Sequence, residues 1–372
     1  MIYFDYNATT PVDEAVTEQM LPYFTQKFGN PASGYQLGKD AKEEIENARR
    51  KVAHLIKAKP EEILFTSCGS EANNMVIQNI LKQGDYGKHI ITSSIEHPSI
   101  VEPLSYLKKY GFEVTYLPVD ETGMVDIESF YSTVRPSTCF VTIMHSNNEV
   151  GTLQPISEIG RYCRKNNIPF HTDASQSLGK LIIDVDELNV DYLTIAGHKM
   201  YAPKGIGALY IRSSQKLSPL LYGARQENGL RAGTENVPYI AGLGKAAELS
   251  EKYARENNLF SYKKYFFEEL TKIFGDKIHL NGSLTNSLPN TLNISFIGTT
   301  GNEVLRLCDE ISTSTGSACH SGATKPSSVL LAMGIVEHIA LGAVRFSIGK
   351  YTTKDEINEA VQILKNKIST II

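Results

Sequence analysis

Lys199, in Gly197-His198-Lys199, and Asp173, in Asp173-Ala174-Ser175-Gln176, stand 26 residues apart (199 − 173), each just after a run of apolar residues. Those runs, 168–172 and 191–195, read as buried strands, and a third at 206–212 follows the lysine. The stretch 196–205 therefore crosses between two strands and holds its lysine on short backbone at a sheet edge. An amine so placed can form a Schiff base with an aldehyde. A carboxylate on the same edge can keep a proton on a pyridine nitrogen. These two groups are what a protein supplies to use pyridoxal 5'-phosphate (PLP) as an electron sink. Either residue alone has a bland reading: loop lysines are mostly solvated, and an aspartate after a strand is usually a turn former or helix cap. The ordered pair carries the inference.

Other turns hold further candidates. Thr66-Ser67-Cys68-Gly69-Ser70-Glu71 has a glycine for close backbone approach and a serine, Ser70, that can cap the apolar helix that follows, leaving amides free for a phosphate. It lacks the lysine spacing of a P-loop and the glycine spacing of a dinucleotide fold. Cys68 reads as a small packing residue. His97 stands immediately before Pro98, the expected first residue of a helix, and an imidazole at a strand end can stack on an aromatic ring and move protons. His145-Ser146-Asn147-Asn148-Glu149 is dense in groups that suit a phenolic oxygen or a carboxylate. Thr234 precedes a helix at about 237–257, another phosphate-ready position. Cys319 lies in a stretch of small and polar residues, 313–328, expected to be an exposed, mobile loop where a thiol kept beside His320 and Lys325 is suited to reaction. Arg345, on the polar face of an alternating strand at 343–349, is suited to bidentate capture of a carboxylate.

The elements that must position these residues follow from the pattern. Residues 12–58 read as helices broken by Gly29, Pro31 and Gly34. Apolar runs at 62–66, 88–93, 112–117, 139–145, 168–172, 191–195 and 206–212 then alternate with mostly helical segments, which predicts an α/β fold with a mainly parallel seven-stranded sheet. Ligands collect beyond the strand ends of such sheets. Strand candidates at 277–280 and 291–297, a helix at 301–309 and a final helix form a smaller α+β part. In the final helix Thr353 and Glu356 make a capping box, and Ile357, Ala360, Val361, Leu364 and Ile368 a stripe. The expected division is a large domain over 12–250 and a small one from 1–11 with 251–372.

Composition narrows the class. The 372 residues are 41% hydrophobic and 21% charged, with a net charge of −4 and interspersed signs, so neither a nucleic-acid nor an anionic-membrane surface is indicated. No apolar run approaches the ~18 residues of a membrane span, and the start lacks the pattern of a secretory signal, so the cytoplasm is the expected setting. Five cysteines without a Cys-x-x-Cys pair speak against a structural metal or a disulfide framework.

Together, Phe4-Asp5-Tyr6-Asn7-Ala8-Thr9-Thr10-Pro11, Glu96-His97, Met144-His145-Ser146-Asn147-Asn148-Glu149-Val150-Gly151, Asp173-Ala174-Ser175-Gln176-Ser177, Gly197-His198-Lys199, Arg231-Ala232-Gly233-Thr234, Gly316-Ser317-Ala318-Cys319 and Arg345-Phe346-Ser347 resemble the NifS/IscS-like cysteine desulfurases. These belong to the class V aminotransferase group of fold-type I PLP enzymes. The resemblance covers nearly the whole chain. It implies that Lys199 binds PLP covalently, Asp173 pairs with the pyridinium nitrogen, Gln176 bonds the ring oxygen, and His97 stacks on the ring and transfers protons. Gly69, Ser70, His198 and Thr234 would bind the phosphate, Thr234 from a second subunit, which implies a homodimer. Asn148, near cofactor and substrate alike, and Arg345 would hold the amino acid, with Asn7 nearby. Cys319 would take sulfur from L-cysteine as a persulfide, leaving L-alanine, for delivery to an acceptor protein in iron-sulfur cluster assembly or thiolation. Family members commonly have serine at position 196 and glycine at 68; Ala196 and Cys68 therefore predict a phosphate cup with one hydroxyl fewer. A selenocysteine lyase, a plain class V aminotransferase and a non-catalytic sulfur-transfer partner are the alternative readings.

Overall fold

Runs of β-branched and aromatic residues that can be buried on both faces settle as strands of a covered sheet. The computed structural model describes residues 1–82, 87–315 and 325–372. Its strands are β1 (Ile2–Tyr3), β2 (Ile63–Thr66), β3 (His89–Ser93), β4 (Glu113–Leu117), β5 (Thr138–Thr142), β6 (Phe170–Asp173), β7 (Tyr192–Ala196), β8 (Gly207–Ile211), β9 (Ile278–Asn281), β10 (Thr291–Phe296), β11 (Ile311–Ser312) and β12 (Ala343–Ser347). The seven runs expected to build the large sheet do so, each within three residues at either end, in the order β2-β8-β7-β6-β5-β3-β4. Only β8 is reversed: it pairs antiparallel with both β2 and β7, while the other pairings are parallel. Strand β2 therefore runs with β7, and the turns after β2, β3, β5, β6 and β7 open on one edge.

Helices cover this sheet. In helix Gln36–Leu55 the buried Ala41, Ile45, Ala48 and Val52 are spaced four, three and four apart, the stripe of a core-facing helix. It crosses helix Val237–Glu256 closely, because Gly244 there has no side chain: a Cβ would stand 2.6 Å from the Cα of Ala48. No helix among the described residues is long and apolar enough to cross a membrane.

A second, antiparallel sheet, β12-β10-β9, has its own core. Phe266 and Leu270 of helix Leu259–Phe274 and Ile357 and Leu364 of helix Lys354–Ile368 pack against Phe296 and Phe346 of its strands. The solvent side of helix Leu259–Phe274 carries Lys264, Glu268 and Lys272 while Leu259, Phe266, Leu270 and Phe274 are buried. The capping box of Thr353 and Glu356 forms, and the five stripe residues of the last helix are its buried residues. Strand β12 forms within the expected 343–349. All five of its residues are buried, so Arg345 has no exposed face to occupy.

The N-terminal arm ties the two sheets together. β1 pairs in parallel with β11, Asp5 bridges Ser347 at the end of β12, and the amide of Thr10 donates to the carbonyl of His198 at 2.9 Å.

Candidate active site

The lysine stretch folds as the alternation requires. After β7 the chain makes a short helical turn, Gly197–Lys199, and after residues 200–206 returns as β8, with Ala196 opposite Gly207. Glycine is needed in that return, because a Cβ at Gly207 would lie 2.6 Å from the carbonyl oxygen of Ile195 and 2.9 Å from the carbonyl carbon of Cys68. One strand over, β6 ends at Asp173, opposite Thr194. Both turns open on a cavity of about 250 Å³ that Asp173 and Lys199 line together. His97, Gly69, Ser70, Asn148, Gln176, His198, Asn7 and Arg345 line the same cavity.

Lys199 is mostly buried, and its ammonium donates to the carbonyl of Asn7 and, at 2.9 Å, to that of Ala8. Burial pushes its pKa down to about 8; Arg345 adds to the shift, while Asp5 and Asp173 oppose it. Asp173 accepts from the Ser175 amide at 2.9 Å through Oδ1 and from Asn73 Nδ2 at 2.8 Å through Oδ2. Gln176 donates to the carbonyl of Asn7 at 3.0 Å, and its Oε1 faces the ammonium of the fully buried Lys180 at 3.3 Å. The lysine thus fixes which end of that amide donates.

His97 caps helix Pro98–Lys108, and its Nδ1 accepts from the Ser99 amide at 3.1 Å. Burial lowers its pKa, Asp173 raises it and Lys199 lowers it. His198 Nδ1 meets Thr9 Oγ1 at 3.2 Å, and burial, with the charge of Lys199, brings that imidazole to about 4, so it is neutral. Asn7 meets the cavity through its main-chain carbonyl, since its amide is committed to the carbonyl of Asn148, Thr291 Oγ1 and Asn290.

Arg345 is engaged within the chain. Its Nη2 lies 2.6 Å from Asp5 Oδ1 and its Nη1 donates to the carbonyl of Asn148 at 3.0 Å, while Nε is buried without a partner among the described residues. Asp5, as an acidic residue within a polar arm, gave no sequence signal of this pairing. Burial raises its pKa against the pull of Arg345 and Lys199.

The N-terminus of helix Gly69–Asn79 also lines the cavity. The residue that caps it is Cys68, not Ser70: Cys68 has extended backbone and its Sγ accepts from the Glu71 amide at 3.4 Å. Ser70 lies inside the first turn, and Gly69 and Ser70 line the cavity. Thr234 lines a different cavity with Arg231 and Glu227, and the helix after it is capped by Asn236. Cys319 lies outside the described residues. Asn73, Ser99 and Lys180 had no distinguishing signal: Asn73 acts through partners on other elements, and Ser99 and Lys180 act through the neighbouring His97 and Gln176.

The chain matches the family model "Aminotransferase class-V" over residues 2–359. It is 45% identical over 375 residues to the cysteine desulfurase IscS of Dictyoglomus turgidum, spanning 100% of this chain and 95% of that protein. Among solved structures, a "NifS-like protein" superposes with a TM-score of 0.92 at 36% identity over 99% of both chains. Another, "SspA in complex with cysteine", gives 0.84 at 39% identity over 95% of this chain and 100% of that one.

Proposed function

The chain belongs to the class V aminotransferases, among their IscS-like cysteine desulfurases, and on that premise we propose that it converts L-cysteine to L-alanine with PLP in the cavity at the sheet edge. One observation carries this reading: an amine and a carboxylate from neighbouring strand ends open on a single cavity that the N-terminus of a helix also lines. The donor set fits the group. Lys199 suits its aldehyde, Asp173 its ring nitrogen, Gln176 its ring oxygen, and the Gly69 and Ser70 turn its phosphate. A Cβ at Gly69 would come within 3.1 Å of Ser175 Oγ and 3.3 Å of Ala196 Cβ, so the cradle is already narrow at that residue.

When bound, PLP supplies the electron sink that makes the substrate's α-proton removable. Lys199, with an amine near 8, would tether the cofactor and then act as the base at that carbon. Asp173, fixed by Asn73 and Ser175, would hold a proton at the ring nitrogen. His97 would lie over the ring and carry protons, and His198 and Thr234, the latter from a second subunit, would add to the phosphate contacts. Arg345 and Asn148 would hold the substrate carboxylate, next to Asn7. Cys319 as thiolate would form an S–S bond with the substrate sulfur as the C–S bond breaks. The electron pair stays with carbon, which takes a proton and leaves as alanine. We assign this chemistry to a cytoplasmic homodimer, with a large domain over 12–250 carrying the cofactor, and with the persulfide sulfur passed to an acceptor protein.

The test is to incubate the purified protein with L-cysteine, measure alanine, and weigh the tryptic peptide that carries Cys319. The expected result is alanine with one extra sulfur on that peptide. No alanine and no added mass would sink the reading, and a strong preference for selenocysteine in a parallel assay would replace it with the lyase.

A further inference from the structure

The hydrogen bonds around Asn73 connect two groups that the proposed chemistry uses separately. Asn73 sits on helix Gly69–Asn79 and is almost fully buried, at 1% exposure. Its Nδ2 donates one hydrogen to Asp173 Oδ2 at 2.8 Å and the other to Ser99 Oγ at 2.8 Å. Ser99 Oγ lies 2.8 Å from His97 Nδ1. The Ser99 oxygen accepts a hydrogen from Asn73 and has its own proton to donate to the imidazole. The Ser99 amide, which can only donate, points at the same Nδ1 from 3.1 Å. A nitrogen that receives two donors cannot carry a proton itself.

The orientation of the Asn73 amide is decided by the carboxylate. Turning it over would set Oδ1 against Asp173 Oδ2, oxygen to oxygen. As it stands Oδ1 is buried without a partner among the described residues, an arrangement that costs stability and is rare without a reason.

Resting on the desulfurase reading for their purpose, we propose that Asn73 and Ser99 are positioning residues. The two hydrogens of one amide hold Asp173 and, relayed by the Ser99 hydroxyl, hold His97 with Nδ1 as acceptor and Nε2 as the protonated nitrogen. The imidazole thus offers a defined donor, and its tautomer is set by the same amide that orients the carboxylate. Asp173 and Lys199 are the charged groups that act on the ring, one favouring its protonation and the other opposing it.

The test reads the histidine nitrogens directly, in the PLP-loaded protein labelled with 15N-histidine and without cysteine, with His97→Asn used to assign the signal. The wild type should show His97 protonated on Nε2 alone at neutral pH. Ser99→Ala removes one of two donors onto Nδ1, and Asn73→Ala frees the Ser99 hydroxyl to accept. Each should raise the His97 pKa by about one unit, the scale of one hydrogen bond. Ser99→Thr keeps the hydroxyl and should restore the wild-type value. Nδ1 protonation in the wild type, an unmoved pKa in Ser99→Ala, or a Ser99→Thr variant that behaves like the alanine would overturn the proposal. These shifts are read without turnover, so a protein inert towards cysteine would sink the desulfurase reading and leave this result standing.

Discussion

Lys199 shows how one buried amine acquires its reactivity. An ordinary lysine is charged to about pH 10, whereas burial brings this one to about 8. Its folded-state value is depressed, so the neutral, nucleophilic form disappears as pH falls below 8. The rate of PLP uptake by the cofactor-stripped protein, followed by absorbance, should therefore fall about tenfold per unit of pH on the acid side and level off above 8. A rate still climbing at about pH 10 would show that the amine titrates like a solvated one. Arg345 permits a second prediction. Arg345→Lys keeps the charge but loses the planar fork, and should raise the KM for cysteine about tenfold or more with a smaller effect on kcat. Arg345→Met should destabilise the fold by about 1–3 kcal/mol, because the partly buried Asp5 loses its partner. Urea unfolding should find much of that loss recovered in the double variant with Asp5→Asn, and no recovery would mean that the ion pair is incidental.

At the scale of elements, stability is held in termini and crossings that can be tested one at a time. Thr353 accepts from the Glu356 amide at 3.2 Å, and Glu356 accepts from the Thr353 amide at 2.8 Å. Thr353→Ala should cost about 1 kcal/mol in urea unfolding and leave cysteine turnover unchanged, and a smaller turnover would tie that helix to the site. This cap was legible because its residues are neighbours in sequence. The same holds for the strands, whose buried runs are continuous, and for Lys199, Asp173 and His97, each fixed at the end of such a run. β1 and β11 were not legible, since two residues carry no period. Alternation put Arg345 on the polar face of β12 but does not tell what covers that face; here Asp5 of the arm and the carbonyl of Asn148 do. Cys68 took the cap expected of Ser70 because the last extended residue before the helix lies two positions earlier. Asn73 and Ser99 meet between two helices, a contact that spacing along either helix does not encode.

At the scale of the whole molecule, Thr234 stands in a cavity apart from Lys199. A homodimer in which each Thr234 serves the other subunit makes a sharp prediction. Lys199→Ala and Thr234→Ala proteins, each impaired alone, should regain turnover when unfolded and refolded together, because one of the two sites in a mixed dimer is then intact. Sedimentation should show a dimer, and no gain on mixing would confine Thr234 to its own chain. The N-terminal arm has a further consequence, one of timing. Its carbonyls at Asn7 and Ala8 receive the Lys199 ammonium, yet β1 pairs with β11 and Asp5 with Ser347 and Arg345, more than 300 positions away. The arm must wait for residues made more than 300 positions later before it can settle. During synthesis the amine is therefore unguarded, and a nascent or prematurely terminated product would carry a lysine open to any stray aldehyde in the cell.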